Sequence, residues 1–135
     1  MEKIIWTEGF SVGVVMLDEQ HKHLIKVANQ LIEAPRVTTN SETISWILSD
    51  MLKYAQVHFK SEENLLRRYG YPQLDKHITE HQAFKKQTMS FFQEITVDVS
   101  TVPNNMLNYL CEWVVEHILS SDMAYKPFLQ EQGCS

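Results

Sequence analysis

The 135 residues carry 12 Lys and Arg against 17 Asp and Glu, a formal charge of −5, with 44% hydrophobic content. That make-up suits one domain over residues 1–135 with a core large enough to need no disulfide staples, and it argues against a nucleic-acid surface. The longest apolar run, Val12 to Leu17, is far short of the roughly 20 residues that cross a bilayer. The first residues, Met-Glu-Lys-Ile-Ile-Trp-Thr-Glu, do not read as a secretory leader, and two cysteines are too few for a disulfide framework, so the expected compartment is the reducing cytoplasm.

Residues 1–17 read as an irregular arm anchored by Trp6 and Phe10, followed by a bundle over 18–135. Asp18 is placed to cap a first helix that runs to about Ala34, where Pro35 stops it. Its apolar stripe is His21, Leu24, Ile25, Ala28, Leu31 and Ile32. Thr39-Asn40-Ser41-Glu42 matches a capping box opening a second helix, which ends at Tyr69 before Gly70 and Pro72. Ile44, Ile47, Leu48, Met51, Ala55, His58, Phe59, Glu62, Leu65, Leu66 and Tyr69 keep one helical phase along it. A third helix carries Leu74, His77, Ile78, His81, Phe84, Thr88, Phe91, Phe92 and Ile95 in register. A β-branched, polar loop from Thr96 to Val102 then leads to Pro103, suited to the first turn of a fourth helix. The fourth stripe is Leu107, Leu110, Trp113, Val114, His117, Ile118 and Tyr125. Four amphipathic helices with short connections predict an all-α, antiparallel up-down four-helix bundle.

The six histidines are patterned. Imidazoles and carboxylates are poor core residues unless something compensates them, yet each helix carries one or two on its buried stripe. His58 and Glu62, four residues apart, lie about 40° apart around the axis and about 6 Å apart along it, so both point inward. His77 and His81 repeat that spacing. The first helix supplies His21, and the fourth supplies His117 with Asp122 five residues on. Five residues turn through about 140°, so Asp122 needs a local distortion or a long reach to join the rest. Five imidazoles and two carboxylates without an inward thiolate suit iron, zinc or copper rather than calcium or magnesium. One zinc needs only four ligands, so seven imply two metals. If Glu62 and Asp122 both bridge, the protein fills about nine of the twelve positions of two octahedral ions; a bridging oxygen fills about two more and one stays open.

Several residues are expected to have bland roles. His23 points about 200° away from His21, so it is read as a solvated histidine near Glu19. Glu63, Glu80 and Glu116 are read as surface charges, Met51, Met89 and Met106 as core filler, and Cys111 as a small buried hydrophobe. Cys134 is placed on a loose tail.

The ordered set Asp18-Glu19-Gln20-His21, His58-Phe59-Lys60-Ser61-Glu62-Glu63, His77-Ile78-Thr79-Glu80-His81 and Trp113-Val114-Val115-Glu116-His117-Ile118 with Asp122 resembles the hemerythrin family, most closely its single-domain bacterial members. Trp6 and Gly13 extend the likeness into the arm. The resemblance implies two iron ions per chain, one held by His77, His81 and His117 and the other by His21 and His58. Glu62, Asp122 and an oxo or hydroxo group would bridge them. It further implies reversible O2 binding at the two-histidine iron, in a pocket lined by Leu24, Phe59, Trp113, Val114 and Ile118. The chain departs from the family at Val114, where leucine is expected, which bears on pocket size and O2 release.

The expected function is therefore O2 storage, transport or delivery, without enzymatic turnover. An apolar pocket keeps water and protons from bound O2 and offers no general acid. The alternatives are an O2 or redox sensing module, a di-iron protein handling peroxide or nitric oxide, and an iron-handling role. The expected state is a monomer or weak homo-oligomer, and the only assigned partner is O2.

Overall fold

In a computed structural model the chain folds as four helical rods. The structure describes residues 2–37, 41–97 and 104–135, and within those the side chains of 34–37, 41, 92, 94–97 and 104–107 are outside the description. The elements are α1 (Val15–Val37), α2 (Ser41–Tyr69), α3 (Leu74–Val97), α4 (Asn104–His117), a π turn (Ile118–Asp122) and α5 (Met123–Glu131). His117 and Met123, at the borders of the π turn, both keep right-handed helical dihedrals, so α4, the π turn and α5 form one continuous fourth rod. α2 packs against α1 and α3, and α1 also packs against α4. None of the described helices is long and apolar enough to cross a membrane.

Local sequence explains where these rods stop. Gly70 takes a φ of 74°, which frees Tyr71 N–H to bond the Leu66 carbonyl at 2.9 Å while Gly70 N–H bonds Arg67 at 3.1 Å. This closes α2 in a Schellman turn that only a residue tolerant of left-handed backbone accepts cheaply. Gly133 repeats the device after α5: Cys134 N–H reaches the Leu129 carbonyl.

The first helix differs from expectation at both ends. It begins at Val15, with Asp18 N–H already bonded to the Val14 carbonyl, and it continues past Pro35 to Val37. Asp18 does not cap α1. Its carboxylate instead accepts from the Ser11 hydroxyl at 2.6 Å and from Val12 N–H at 2.8 Å, so it caps the arm. The arm itself is irregular apart from a short 3-10 turn at Glu8–Phe10. Asn29 clamps it by accepting from Ile4 N–H and donating to the Ile4 carbonyl. Trp6 stacks on buried Phe10 at 5.6 Å, and the Lys22 ammonium lies 5.2 Å from the Trp6 ring.

Apolar burial divides into two clusters. The larger joins α1, α2, α3 and α4 through residues such as Leu31, Leu48, Met51, Phe59, Phe84 and Leu110. The smaller ties the arm to the ends of α2 and α5 through Val12, Leu17, Leu66, Tyr125 and Leu129. Cys134 is buried within this second cluster, not on a loose tail, because the turn at Gly133 folds it back. Cys111 is buried as expected, its thiol donating to the Ala28 carbonyl. Met89 is 49% exposed, so it is not core filler; it lies off the stripe that Phe84, Thr88 and Phe91 bury. Thr96 and Val97 belong to α3 and not to a loop. Thr39, Asn40, Pro103 and the remainder of that loop, with the side chains of Phe92, Ile95, Met106 and Leu107, lie outside the described residues.

Candidate metal centre

Along α2, Glu62 falls between Phe59 of the larger cluster and Leu66 of the smaller, so a polar layer sits between two apolar ones. All seven residues singled out by spacing are buried there: His21 from α1, His58 and Glu62 from α2, His77 and His81 from α3, His117 at the end of α4, and Asp122. The five-residue interval from His117 to Asp122 is accommodated by the π turn. Met123 N–H bonds the Ile118 carbonyl, an i to i−5 step, and this wider turn brings Asp122 onto the face of His117.

Their ligand atoms converge in two overlapping sets. Glu62, His77, His81, His117 and Asp122 each offer one donor atom within 4.8 Å of the others, and so do His21, His58, Glu62 and Asp122. Both carboxylates are common to the two sets. Glu62 approaches the Nε2 atoms of His77 at 2.6 Å, His81 at 3.1 Å, and His21 and His58 at 3.3 Å each. Asp122 approaches His77 at 2.9 Å, His21 at 3.0 Å and His117 at 3.1 Å.

The charges are strongly perturbed. Burial would push the Glu62 carboxyl up, but His58, His21 and His77 hold it well below the usual carboxylate value. Burial and Glu62 raise Asp122, and His117 and His21 more than reverse this. Burial pulls the His21 and His77 imidazoles down, yet Asp122 and Glu62 carry both up to about 10. The Tyr125 hydroxyl donates to Glu62 at 2.9 Å, and burial beside Glu62 and Asp122 pushes its ionisation far up.

Three polar residues that spacing did not single out complete the site. His58 Nδ1 donates to Gln20 at 2.7 Å, His81 Nδ1 donates to Glu63 at 2.7 Å, and His117 Nδ1 lies 3.1 Å from Glu80. Each sits one residue from a candidate ligand but serves a histidine on the next helix: α1 orients α2, α2 orients α3, and α3 orients α4. Glu63 and Glu80 are therefore not plain surface charges. Adjacency to a candidate ligand was the available signal. Glu116 is exposed, as expected. His23 is also exposed, but its ring lies 4.0 Å from Tyr54, while Glu19 pairs with Lys22.

This arrangement fits metal ions. With Nδ1–H committed outward, a neutral imidazole turns a bare lone pair inward. The Nε2 atoms of His81 and His117 face each other at 3.0 Å, which is repulsive unless a proton or cation lies between them. Both Asp122 oxygens are buried near three imidazoles without a hydrogen bond of acceptable geometry, as is His21 Nδ1. Of the apolar residues expected nearby, Leu24, Val114 and Ile118 are buried. Phe59 stacks on His81 at 3.8 Å and 5°, and half-buried Trp113 stacks on His117 at 4.4 Å and 10°.

A helical bundle with two histidine–carboxylate sets sharing both carboxylates defines a dinuclear, non-haem metalloprotein. Residues 12–129 match the family model described as the hemerythrin HHE cation binding domain. A bacteriohemerythrin of Clostridium acetobutylicum is 32% identical over 90% of this chain and 97% of its own, and one of Methylococcus capsulatus is 28% identical over 96% and 98%. A wild-type hemerythrin crystal structure superposes with a TM-score of 0.84 at 27% identity, covering 93% of this chain and 97% of its own. The chain belongs to the hemerythrin family, whose domain binds a di-iron centre and O2.

Proposed function

We propose that His77, His81 and His117 hold one iron and His21 and His58 the other, that Glu62 and Asp122 are shared by both, and that the chain, a single cytoplasmic domain, binds O2 reversibly as a carrier or store. The observation that carries this reading is the sharing of both carboxylates between a three-histidine and a two-histidine set. When bound, an iron pair would supply the electrons that O2 binding requires. The chain's own residues do the rest. Gln20, Glu63 and Glu80 fix the imidazole tautomers, and the Tyr125 hydroxyl holds one Glu62 oxygen. Leu24, Phe59, Val114 and Ile118, all buried, exclude water and present no group that could deliver a proton, which favours release over turnover. Both cysteines are unpaired, in keeping with a reducing compartment.

Iron analysis with visible spectra through an oxygenation and deoxygenation cycle tests this reading. The expected result is two irons per chain and a charge-transfer band that fades under vacuum and returns in air. A single iron, or a band that does not return, overturns it. The orienting residues give a finer check. Gln20→Ala is expected to loosen the iron on the His21–His58 side, and Glu63→Ala the one on the His81 side, each by about 10- to 100-fold in affinity measured by chelator competition. Equal loss of both irons from Gln20→Ala would contradict the assignment.

A further inference from the structure

We propose that metal ions reach the buried cluster through a recess between the α2–α3 turn and the π turn, with Glu80 as the first carboxylate they meet. This rests on the ligand assignment proposed above. Of the seven candidate ligands, five are at most 1% exposed, whereas His77 is 3% and His117 7% exposed. Solvent therefore meets the cluster on the side of those two imidazoles.

On that side the chain leaves a recess of about 80 Å³ bordered by Tyr71, Lys76, Glu80, Ser121 and Ala124, with His77 in its wall. At about 30 Å³ per water, this is room for two or three waters, or for a divalent ion that keeps part of its hydration. Two larger clefts, of about 460 and 370 Å³, include no candidate ligand among their lining residues. The aromatic wall is no substitute. An ion passing the stacked faces of Phe59 and Trp113 would shed its water with nothing to replace it.

Glu80 has the geometry of a relay. Its side chain is 30% exposed, yet its carboxylate reaches His117 Nδ1 at 3.1 Å and accepts from the Ser121 hydroxyl. One group thus touches both solvent and a ligand. An arriving ion can exchange a water for a Glu80 oxygen before it meets the first imidazole, and Ser121 returns to Glu80 once the ion has moved inward. The Lys76 ammonium, exposed on the rim, opposes a cation and sets the expected sign of its removal.

The test follows anaerobic uptake of Co²⁺ by the metal-free full chain, through its absorption, and then release to a chelator. Ala124→Leu adds volume at an exposed rim position and replaces none of the proposed ligands. It is expected to slow uptake and release alike, by about tenfold, with two ions still bound at the end and affinity unchanged, because a narrowed path raises the barrier equally in both directions. Glu80→Gln is expected to slow uptake, and Lys76→Gln to hasten it. Gln30→Leu, in the larger cleft, is expected to change neither rate. Wild-type uptake rates in Ala124→Leu overturn the route, and in Glu80→Gln they overturn the relay. Uptake of fewer than two ions by the wild-type chain would instead overturn the ligand assignment.

Discussion

Glu62→Ala is expected to empty both metal positions, taking iron from two per chain to fewer than one and abolishing the oxygenation cycle. No other side chain is as central: its two oxygens lie within 3.3 Å of four imidazoles and accept from Tyr125. Its loss removes a ligand from both sets at once and leaves Asp122 as the one carboxylate shared by the two sets, with His58 stripped of its ion-pair partner. Removing one partner of a buried, hydrogen-bonded charge typically costs about 3–5 kcal/mol, so the metal-free variant should also unfold at markedly lower denaturant concentration. Glu62→Gln separates the two effects: it keeps the shape and one acceptor oxygen, so it should retain more stability than metal. His23→Ala, on the exposed face against Tyr54, should keep both irons. Iron analysis and urea unfolding of the three variants decide the matter, and a Glu62→Ala protein that retained two irons would refute the shared-carboxylate reading.

The second large effect is the pH dependence of the metal-free protein. His21 and His77 are raised from 6.5 to about 10 in the folded chain, so folding holds protons that the unfolded chain releases. Their contribution to stability is therefore complete below about pH 6.5 and disappears as pH rises through about 10. The slope approaches roughly 1.4 kcal/mol per pH unit for each proton retained. Glu62 and Asp122 are shifted the other way, so their contribution is present above the ordinary carboxylate range and lost in acid. Stability of the stripped protein should thus peak between about pH 5 and 6.5 and fall toward pH 10. Iron held by His21 and His77, as proposed, would displace those same protons, so the loaded protein should lose this alkaline decline, and iron uptake between pH 6.5 and 9 should release protons to an indicator dye. Stripped protein whose urea midpoint rises from pH 6.5 to 10 would contradict the proton assignment.

Much of the site is legible in the sequence. A 3.6-residue period places His58 with Glu62, and His77 with His81, on one buried face each, and six of the seven proposed ligands, all but Asp122, are buried on the faces that this period gives them. Asp122 marked the limit of that reasoning. Five residues from His117 it falls off an α-helical face, and the misfit is resolved by a π turn whose hydrogen bonds depend on what the rest of the bundle presses against it. Asp18 shows a different limit. Its type and place suit a helix cap, but an arm that folds back offered Ser11 and Val12, which a local reading of α1 does not weigh. Glu63 and Glu80 looked like ordinary solvated charges, because their partners, His81 and His117, belong to the next rod.

The order of helices, their inward faces, the turns closed by Gly70 and Gly133, and the identity of the buried histidines and carboxylates are properties of the chain's own periodicity and backbone preferences. Those depend on neighbours a few residues away, and the chain alone determines them. The tertiary structure alone decides which imidazole nitrogen faces inward, which polar side chain steadies it from the adjacent helix, and where solvent reaches the cluster. Each of these depends on the rotation and axial offset of one rod against another, and packing of the two apolar clusters sets that relation.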